Sequence, residues 1–586
     1  MVNFLSPGIK VLEKESAVRN IQGVGTSFGS QVTLTEKGPL GVAVPTTSLT
    51  EWVDIFGGAV PYSKGYWTAK GFFANAGEGA TFYQVRTCRY TDLSDPSTAQ
   101  ALLSTLTLND QASTPLPTLR VDALSPGAWA NKLQVSVEPA SRYSTTLNNA
   151  GALVTGSTSV ILTSVEGVNV GKVLRISDGT TTVFVVVSEV QNNTVYFDAI
   201  TIAAPIADGS SVIEQSFNLF VYESNVLVES WRNVSMSSTD ELDYVEARIN
   251  KLAIAGGSSY INIEDLDSAS PLGENTPATL VKTFLTGGDN GLTGVGAADF
   301  VGNSAGGTGL YALDKVQVIN MVALPESQTQ LAQQGIIDYC HIRGYTIGIL
   351  SAAAGQSVTG AITYFNDTLA ANTSYAAAFY PQGRVYDDVN RREILIPLDA
   401  HIMGIYSRVD GTYGIQQVGA GEYGQFADLL DFENDETKAQ GKRDLLYQAR
   451  INPLVNYPGL GRVVFGSRTL SKTGGIGSQI NERRVFNFIK QSLELGMPFV
   501  LFKNNTPEFR KSVKSTIDSF LELQKQSGVL ESYYSDVGET LNNAIVRASG
   551  RLVSVVGLKA PDTIEFFQLT VTRDTRAIEA ELQALA

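Results

Sequence analysis

ESQTQLAQQGIIDYCHIRGYTIGILSA, residues 326–352, decides the fold of this chain. Its first part repeats apolar residues at helical spacing, and its last ten residues form a short apolar run that is typical of a strand. The apolar stretches KVQVINMVALP at 315–325, TSYAAAFYPQG at 373–383 and REILIPLDAHIMGIYSR at 392–408 are also assigned to strands. Strands that alternate with helices predict a layered α/β domain with a mostly parallel sheet over 241–455.

The N-terminal part predicts an arm followed by a small α/β unit. Residues 1–20 contain a Pro7-Gly8 turn signal before a short strand-like alternation. In the unit 21–95, Ser48 is expected to cap a short helix that ends at Gly57. A second helical pattern, YWTAKGFFANAG, precedes the strand candidate TFYQVRTC.

Residues 141–215 have a different character from the rest of the chain. They consist of short β runs that are separated by Gly, Asp-Gly and Asn-Asn turns, which is the pattern of a small antiparallel barrel or sandwich. The flanks at 125–139 and 217–236 are predicted to be neighbouring strands of one parent domain. We therefore expect an inserted small all-β domain, in a main body made of 96–140 and 216–455.

Residues 456–560 predict a final α+β unit. Ser478 is expected to cap one helix, and Thr506 before a proline is expected to open another. TIEFFQLTVTRDT at 563–575 is a strand candidate inside a predicted C-terminal arm, 561–586. The apolar faces expected on the two helices are Val485, Phe488, Ile489 and Leu493, and Phe509, Val513, Ile517 and Phe520.

The composition limits the classes of protein to which the chain can belong. It has 586 residues with 43 Lys+Arg against 58 Asp+Glu, a net charge of −15. Hydrophobic residues make up 43%, which excludes a disordered chain. The acidic balance argues against a nucleic-acid partner. The charged share is 17%, low against the roughly 25% of an ordinary soluble chain, and fits a surface partly buried against copies of itself.

Segments that would direct the chain to a membrane or an oxidising compartment are not expected. No run of about 18 apolar residues is present, so no membrane span is predicted. The N-terminus lacks a basic region followed by an apolar one, so a signal peptide is not expected. Cys88 and Cys340 form no disulfide framework and are interpreted as buried thiols.

The residues with catalytic potential are few. His341 and His401 are the two histidines, and one of them would have to be the base of a serine triad. No G-x-S-x-G motif accompanies them. We therefore predict packing or interface roles for both, with no catalytic residue, no metal ligand and no cofactor.

Three further motifs have structural interpretations. GVGTSFG at 23–29 does not have dinucleotide-loop spacing and is interpreted as a tight turn. DFENDE at 431–436 spaces acids as a calcium loop does but lacks the glycine, which favours a solvated acidic loop. The pairs Arg391/Arg392 and Arg483/Arg484 predict solvated faces, with salt bridges to an acidic partner as the alternative.

Seven stretches share their order and spacing with one family. They are FLSPGIKVLEKES at 4–16, IQGVGTSFGSQVTLTEKGPLGVAVPTTSLTEWVDIFGG at 21–58, GFFANAGEGATFYQVR at 71–86, SPGAWANKLQVSVE at 125–138, ARINPLVNYPGLGRVVFGSRTLS at 449–471, NERRVFNFIKQSL at 481–493 and FVLFKNNTPEFRKSV at 499–513. Together they resemble the sheath protein of contractile phage tails and of related contractile injection machines. The resemblance covers nearly all of the chain except 141–215. One departure is Phe465, where the family often has Trp.

The resemblance implies a fold and a function. The implied fold has a central subtilisin-like layered α/β domain without a protease triad, a C-terminal α+β domain that faces the tube, and 141–215 on the outer surface. The implied function is that of a structural subunit, not an enzyme. Stacked hexameric rings surround an inner tail tube and contract from a metastable extended state, which drives the tube through the host cell envelope.

The resemblance also implies partners and a location. The partners are further copies of the chain, the tail tube protein, and the baseplate and tail terminator proteins. The location is the tail sheath of a virion that is assembled in the cytoplasm of the host bacterium.

Exchanged N- and C-terminal arms, which add strands to a sheet of the C-terminal domain, tie neighbouring sheath subunits together in this family. The expected apolar contacts of the arms are Ile9, Val11, Leu12, Phe566, Phe567, Leu569 and Val571. Tube contact is expected through the helix that carries Arg483, Arg484 and Lys490. The alternative is that these three charges are solvated or bridged within the subunit.

Other functions compete with the phage sheath. The first is the sheath subunit of a non-phage contractile injection system. The second is a hydrolase on the α/β domain, for which two histidines without motif context give little support. The third is an adhesive surface protein, which the β-rich residues 141–215 suggest.

Overall fold

The computed structural model describes residues 20–251 and 255–566. Its helices are α1 Leu49–Phe56, α2 Gly65–Asn75, α3 Val245–Ile249, α4 Ala297–Val301, α5 Gln330–Arg343, α6 Val358–Thr363, α7 Asp399–Tyr413, α8 Gln440–Gln448, α9 Ile480–Gly496, α10 Pro507–Gln526 and α11 Ala544–Ala548. Among these helices none has the length and apolar character needed to cross a bilayer.

The strands, in chain order, are β1 Phe28–Thr33, β2 Ala43–Thr46, β3 Thr81–Arg86, β4 Ala101–Leu102, β5 Thr105–Asn109, β6 Pro117–Ala123, β7 Leu133–Ala140, β8 Ser144–Thr146, β9 Ser159–Ile161, β10 Val173–Ser177, β11 Thr182–Val186, β12 Glu189–Gln191, β13 Thr194–Tyr196, β14 Ser211–Glu214, β15 Ser216–Glu223, β16 Val226–Val234, β17 Ile261–Asp265, β18 Leu280–Phe284, β19 Asp289–Asn290, β20 Met321–Ala323, β21 Ile347–Ser351, β22 Ala376–Tyr380, β23 Gly383–Asp387, β24 Arg392–Ile396, β25 Asp431–Phe432, β26 Ile451–Tyr457, β27 Gly461–Val464, β28 Ser532–Asp536 and β29 Val555–Lys559.

An eight-stranded sheet with the order β2-β3-β1-β20-β21-β22-β26-β27 forms the centre of the described chain. The neighbours from β3 to β26 are parallel, and the edge strands β2 and β27 are antiparallel. The predicted mostly parallel sheet is therefore present. The strands β1 and β3 come from the predicted unit 21–95, and β27 lies beyond the predicted boundary at 455. The strand pairing thus joins 21–95 to the α/β body in one sheet.

Helices cover both faces of this sheet. On one face α1, α2 and α7 enclose Met321 and Phe379 with the sheet. On the other face α5 and α6 enclose Val322 and Leu350. Strands covered on both faces are apolar without alternation, which explains why TSYAAAFYPQG predicted β22, a strand that is buried along its whole length.

The stretch 392–408 contains a strand and a helix, not the single strand that was predicted. The strand β24 ends at Ile396, and α7 begins at Asp399. Nearly every residue in the first three turns of α7 is buried, since the helix lies between the sheet and α2. A helix that is enclosed on all sides has no polar face, so its sequence lacks the spacing by which a surface helix is recognised.

The predicted helix ends are mostly confirmed. The side chain of Ser48 accepts a hydrogen bond from the Glu51 amide, and Gly57 ends α1 with φ 86°. Thr506 caps α10 in the same way. The cap predicted at Ser478 is wrong: α9 begins at Ile480, and the residue before it makes no side-chain cap.

The predicted tight turn at 23–29 is also wrong. Residues 23–27 form no turn, and β1 begins at Phe28. Its glycines allow close packing: a Cβ on Gly23 would lie 2.9 Å from the ring of Phe488, and one on Gly25 would lie 2.7 Å from the ring of Phe28.

A second body is built from the sheets β16-β15-β7-β18 and β17-β6-β5. The strands β7 and β15 pair in antiparallel fashion from Leu133↔Glu223 to Ala140↔Ser216, which confirms that the two flanks of 141–215 are neighbours. Leu119, Val135 and Leu219 are in its core. The strands β17 and β18 belong here, so the α/β pattern predicted from residue 241 begins later in the chain.

Residues 144–214, all of which are described, contain the strands β8 to β14 and no helix. They form the antiparallel sheets β11-β10-β14-β8 and β12-β13-β9 around a core of their own, in which Leu162, Ile176 and Val195 are buried. The short β runs and turns of the sequence predicted this character.

A buried cation connects this β-rich region to the second body. Lys172 is 2% exposed, and its ammonium lies 2.9 Å from Glu214 and 3.2 Å from Asp240. Asp243 is a third partner, and it also binds Arg248. Because buried charges must remain paired, this cluster holds residues 144–214 against the second body.

The helices α2 and α7 cross closely because of two glycines. A Cβ on Gly404 would lie 2.5 Å from the backbone oxygen of Phe72, and one on Gly71 would overlap the ring of His401. At Gly404 the nearest atom is backbone, so a side chain there must push the helices apart.

We predict that G404A lowers the free energy of unfolding by about 2 to 3 kcal/mol through overpacking. The control is G411A, at an exposed position of α7 with open space around it. It should leave stability unchanged or raise it by up to about 1 kcal/mol through helix propensity. Urea unfolding measures both, and equal effects would contradict the close crossing.

Candidate assembly interface in the C-terminal unit

The C-terminal unit consists of α9, α10, α11 and the antiparallel pair β28–β29. This pair runs from Ser532↔Lys559 to Asp536↔Val555. One face packs towards α10 through Tyr533 and Leu558, and the other face exposes Tyr534. Within the described residues, neither outer edge of the pair is hydrogen-bonded to another strand. Free edges offer N–H and C=O groups to an added strand.

The N-terminal segment is fixed to this unit before it enters the central sheet. Ile21 is buried against α9 in the same core as Phe488. The backbone N–H of Val24 donates to Ser492 Oγ at 3.1 Å. Residues 20–27 therefore lie along α9, and the predicted arm 1–20 joins the subunit here.

The C-terminal segment is fixed through Glu565. Its Oε1 accepts hydrogen bonds from Tyr447 Oη at 2.8 Å, from Gln479 Nε2 at 3.0 Å and from Arg468 Nε at 3.3 Å. Burial opposes the charged form, but the hydrogen bonds, led by that of Arg468, keep the pKa of Glu565 below its ordinary value. Phe566, the last described residue, is 78% exposed.

One of the seven predicted arm contacts is among the described residues. Phe566 is described, and its side chain faces solvent. Ile9, Val11, Leu12, Phe567, Leu569 and Val571 lie outside the described residues.

Arg484 lies inside the subunit. It is 2% exposed, and its guanidinium forms an ion pair with Asp410, with Nη1 2.9 Å from Oδ1. It also donates to the backbone oxygen of Thr26 at 3.1 Å and lies over the ring of Tyr406 at 5.0 Å. For Arg484 the structure therefore agrees with the alternative that the sequence left open, an ion pair within the subunit.

The other two basic residues of α9 differ in exposure. Arg483 is buried, donates to Ser374 and lies 4.5 Å from the ring centre of Tyr375. Lys490 is exposed and donates to the backbone oxygen of Gly344 at 2.9 Å. Burial does not favour tube contact through Arg483 or Arg484, and contact through Lys490 stays a prediction.

The sequence did not identify Asp410 and Glu565 as the acids that bind Arg484 and Arg468. Asp410 is 74 positions from Arg484. Glu565 is between 86 and 118 positions from its three donors. No local pattern signals such pairings, and Glu565 stands inside an apolar run that reads as a plain strand.

His401 packs in the interior, as predicted. His401 is fully buried, and burial lowers its pKa to about 3, with Lys70 adding to the effect. Neither ring nitrogen has a hydrogen-bond partner in the described part of the chain, so no Ser–His contact of a triad forms there. His341 is exposed with its ring 5.5 Å from that of Tyr375.

The acidic loop 431–436 is only partly solvated. Glu436 accepts a hydrogen bond from the amide of Val358 at 3.0 Å, and Glu433 accepts one from the amide of Gly355. These acids therefore satisfy the N-terminus of α6 and the loop before it. No group of three or more potential metal ligands occurs in residues 20–251 and 255–566.

Comparison with known proteins connects the chain to contractile tails. Residues 478–573 match the family model described as phage tail sheath C-terminal domain. The tail sheath protein of Vibrio phage KVP40 is 29% identical over 279 residues, which are 46% of this chain and 40% of that protein. The tail sheath protein of Enterobacteria phage T4 is 28% identical over 230 residues, 39% of this chain and 35% of that protein. The match thus spans less than half of these curated relatives.

Two solved structures share the fold over most of the chain. The sheath tail protein from Listeria innocua is 9% identical with a TM-score of 0.51, covering 89% of this chain and 90% of that one. The sheath complex of the extracellular contractile injection system PVC, in its contracted state, is 12% identical with a TM-score of 0.50, covering 98% and 100%. The resemblance to sheath proteins is therefore confirmed, with a mixed α/β fold of several sheets.

The buried pair of Arg484 and Asp410 makes a stability prediction. R484M removes the cation and leaves Asp410 buried without a counter-charge, which should lower the free energy of unfolding by about 3 to 5 kcal/mol. K514A, which breaks the exposed pair of Lys514 and Asp518 on α10, should cost less than about 1 kcal/mol. Similar losses in urea unfolding would contradict a buried pair.

Two titratable groups in the first turn of α7, Asp399 and His401, predict opposing pH effects. Burial raises the pKa of Asp399, which accepts a hydrogen bond from Ser351, to about 7. The folded state then holds a proton that the unfolded chain releases near pH 4, so stability falls as the pH rises from 4 to 7. The neutral His401 acts in the other direction, because the unfolded chain gains a proton below about 6.5.

Relative to the parent chain, D399N should therefore make the slope of stability against pH more positive between pH 4.5 and 6.5, and H401Q should make it more negative. Urea unfolding of the parent and both variants at the two pH values measures these changes in slope. Changes of the same sign would show that one of the groups is not held in the stated protonation state.

Proposed function

We propose that the chain is the structural subunit of a contractile tail sheath. Stacked hexameric rings of it surround an inner tail tube and contract from a metastable extended state, which drives the tube through the host cell envelope. The observation that carries the proposal is the pair β28–β29, whose outer edges are not paired with another strand among the described residues. Residues 20–27, Ala560 and Thr563 contact the same C-terminal unit. The family match over 478–573 supports it.

Exchanged arms explain how such a subunit assembles. An extended segment from a neighbour pairs its main chain with a free edge of β28–β29, which gives a directional joint. A head-to-tail contact that does not close into a ring continues as a helix. The joint ties subunits together, while the linking segment lets the bodies rotate.

Contraction requires two packings of the same subunits, of which the second is lower in free energy. A kinetic barrier holds the extended form. If each subunit gained about 2 kcal/mol, the scale of a modest interface change, a sleeve of about a hundred subunits would release on the order of 200 kcal/mol. No nucleotide needs to be consumed, and the chain acts as a structural protein and not as an enzyme.

The finer organisation follows from this assignment. The central α/β body has the subtilisin-like layout, and 141–215 is an inserted all-β domain on the outer surface. The separate core of residues 144–214 supports the insertion. The C-terminal unit faces the tube, with Lys490 as a contact. The partners are the tube, baseplate and tail terminator proteins, and the location is the virion tail after assembly in the host cytoplasm.

A second candidate is the sheath of a non-phage contractile injection system. The coverage of 98% of this chain by the sheath of such a system favours it. The subunit mechanism is the same in both cases, and the two differ in what the tube delivers.

The arm assignment predicts the effect of a truncation. Deleting residues 1–15 should leave a folded monomer, because residues 20–27 keep their contacts with α9, but no extended sleeve should form. Deleting residues 1–6 spares the expected strand contacts Ile9, Val11 and Leu12 and should allow assembly. Negative-stain microscopy with the tube protein, beside circular dichroism of the monomer, measures both. Normal sleeves from the longer deletion would refute arm exchange.

A further inference from the structure

We propose that Glu565 is a positioning residue that anchors the C-terminal arm to the body of its own subunit, so that the segment available to a neighbour begins at Phe566. The inference rests on the proposed function, because it assumes that the arm is exchanged. It moves the start of the arm from residue 561, where the sequence placed it, to residue 566.

Three side chains from separate elements converge on the carboxylate of Glu565. Tyr447 is at the end of α8, Arg468 follows β27, and Gln479 immediately precedes α9. Their donor atoms lie 2.8 to 3.3 Å from Oε1, and Arg468 also pairs with Oε2. The carboxylate is thus saturated with donors, one of them a cation, and such charge-assisted bonds are about twice as strong as neutral ones.

The three donors form a socket for the carboxylate, and contacts that do not involve Glu565 hold Arg468 and Tyr447 in position. Arg468 lies 3.8 Å from the ring centre of Tyr447 and donates to its backbone oxygen at 3.1 Å. The amide of Asn452, on β26, binds both the N–H and the C=O of Arg468, at 2.7 and 2.8 Å. The socket is therefore part of the central sheet region, and it costs little to order when the carboxylate binds.

The residues before Glu565 also stay with the subunit. Ala560 is buried in the core of the C-terminal unit. Thr563 Oγ1 accepts a hydrogen bond from Asn481 Nδ2 at 3.2 Å. Ile564 and Phe566, on either side of Glu565, are exposed. An anchor at this point fixes where the arm leaves and raises its effective concentration at the neighbouring sheet edge.

The test uses a spin label at Ile564 in the full chain. This side chain is 84% exposed, and the two native cysteines are buried, so I564C can be labelled selectively. E565Q keeps the shape of the side chain and removes its charge, and Y447F removes one donor from the socket. D562N is the matched control, because it makes the same change in charge at a side chain that is 91% exposed and three residues away.

We expect E565Q to shorten the rotational correlation time of the label at least threefold in the dispersed subunit. Y447F should shorten it less, and D562N should leave it unchanged. We also expect E565Q, without the label, to raise the concentration at which sleeves begin to form at least threefold, because residues 561–565 must then be ordered during assembly.

Each outcome decides a different point. Equal label mobility in E565Q, D562N and the parent would overturn the anchor. Increased mobility with an unchanged onset of assembly would overturn its positioning role. Failure of the unmodified chain to form sleeves with or without the tube would count against the proposed function, and the spectra of the dispersed subunit separate that result from the first two.

Discussion

The ion pair between Arg484 of α9 and Asp410 of α7 is the contact on which the arrangement of this subunit depends. Arg484 also binds the backbone oxygen of Thr26, so the N-terminal segment, the α/β body and the C-terminal unit meet at one pair of buried charges. Separating the partners would leave a charge in a medium that solvates it poorly, at a cost of several kcal/mol. The three parts are therefore held as one body.

The central sheet could be predicted because each buried strand is a continuous apolar run that can be recognised on its own. The stretches around β21 and β22 are apolar on both faces, and short apolar runs between helical patterns have one common interpretation. The helix α7 was not predicted for the same reason: its residues are buried on all sides, so its sequence lacks the polar face of a surface helix. Strand order was a different problem. The strand β1 lies beside β20, and the Phe28 amide donates to Asn320, 292 positions away, so nothing near either strand indicates the pairing.

In the C-terminal unit, too, features within one helix could be predicted, whereas contacts between residues far apart in the sequence could not. The apolar faces of α9 and α10 and the cap at Thr506 follow from spacing within one helix. The strands β28 and β29 were not singled out, since each is short and half exposed. The charges of Arg483 and Arg484 were expected at a surface because most such charges are solvated. The ion pair with Asp410 offsets the free-energy cost of burying the Arg484 charge. Because Asp410 is 74 positions away, a local sequence pattern does not indicate this pair.

An arm that joins two subunits through main-chain pairing transmits force only from the point at which it is attached to its own body. In this chain the two attachments differ in their physics. Ile21 is held by apolar packing, which changes little with salt or pH. Glu565 is held by charge, and because its pKa is lowered, the anchor contributes fully above the ordinary pKa of a glutamate and weakens as the pH falls from there through the lowered pKa. The attachment at Ile21 should therefore depend little on salt and pH, whereas changes in salt or pH should weaken the attachment at Glu565 first.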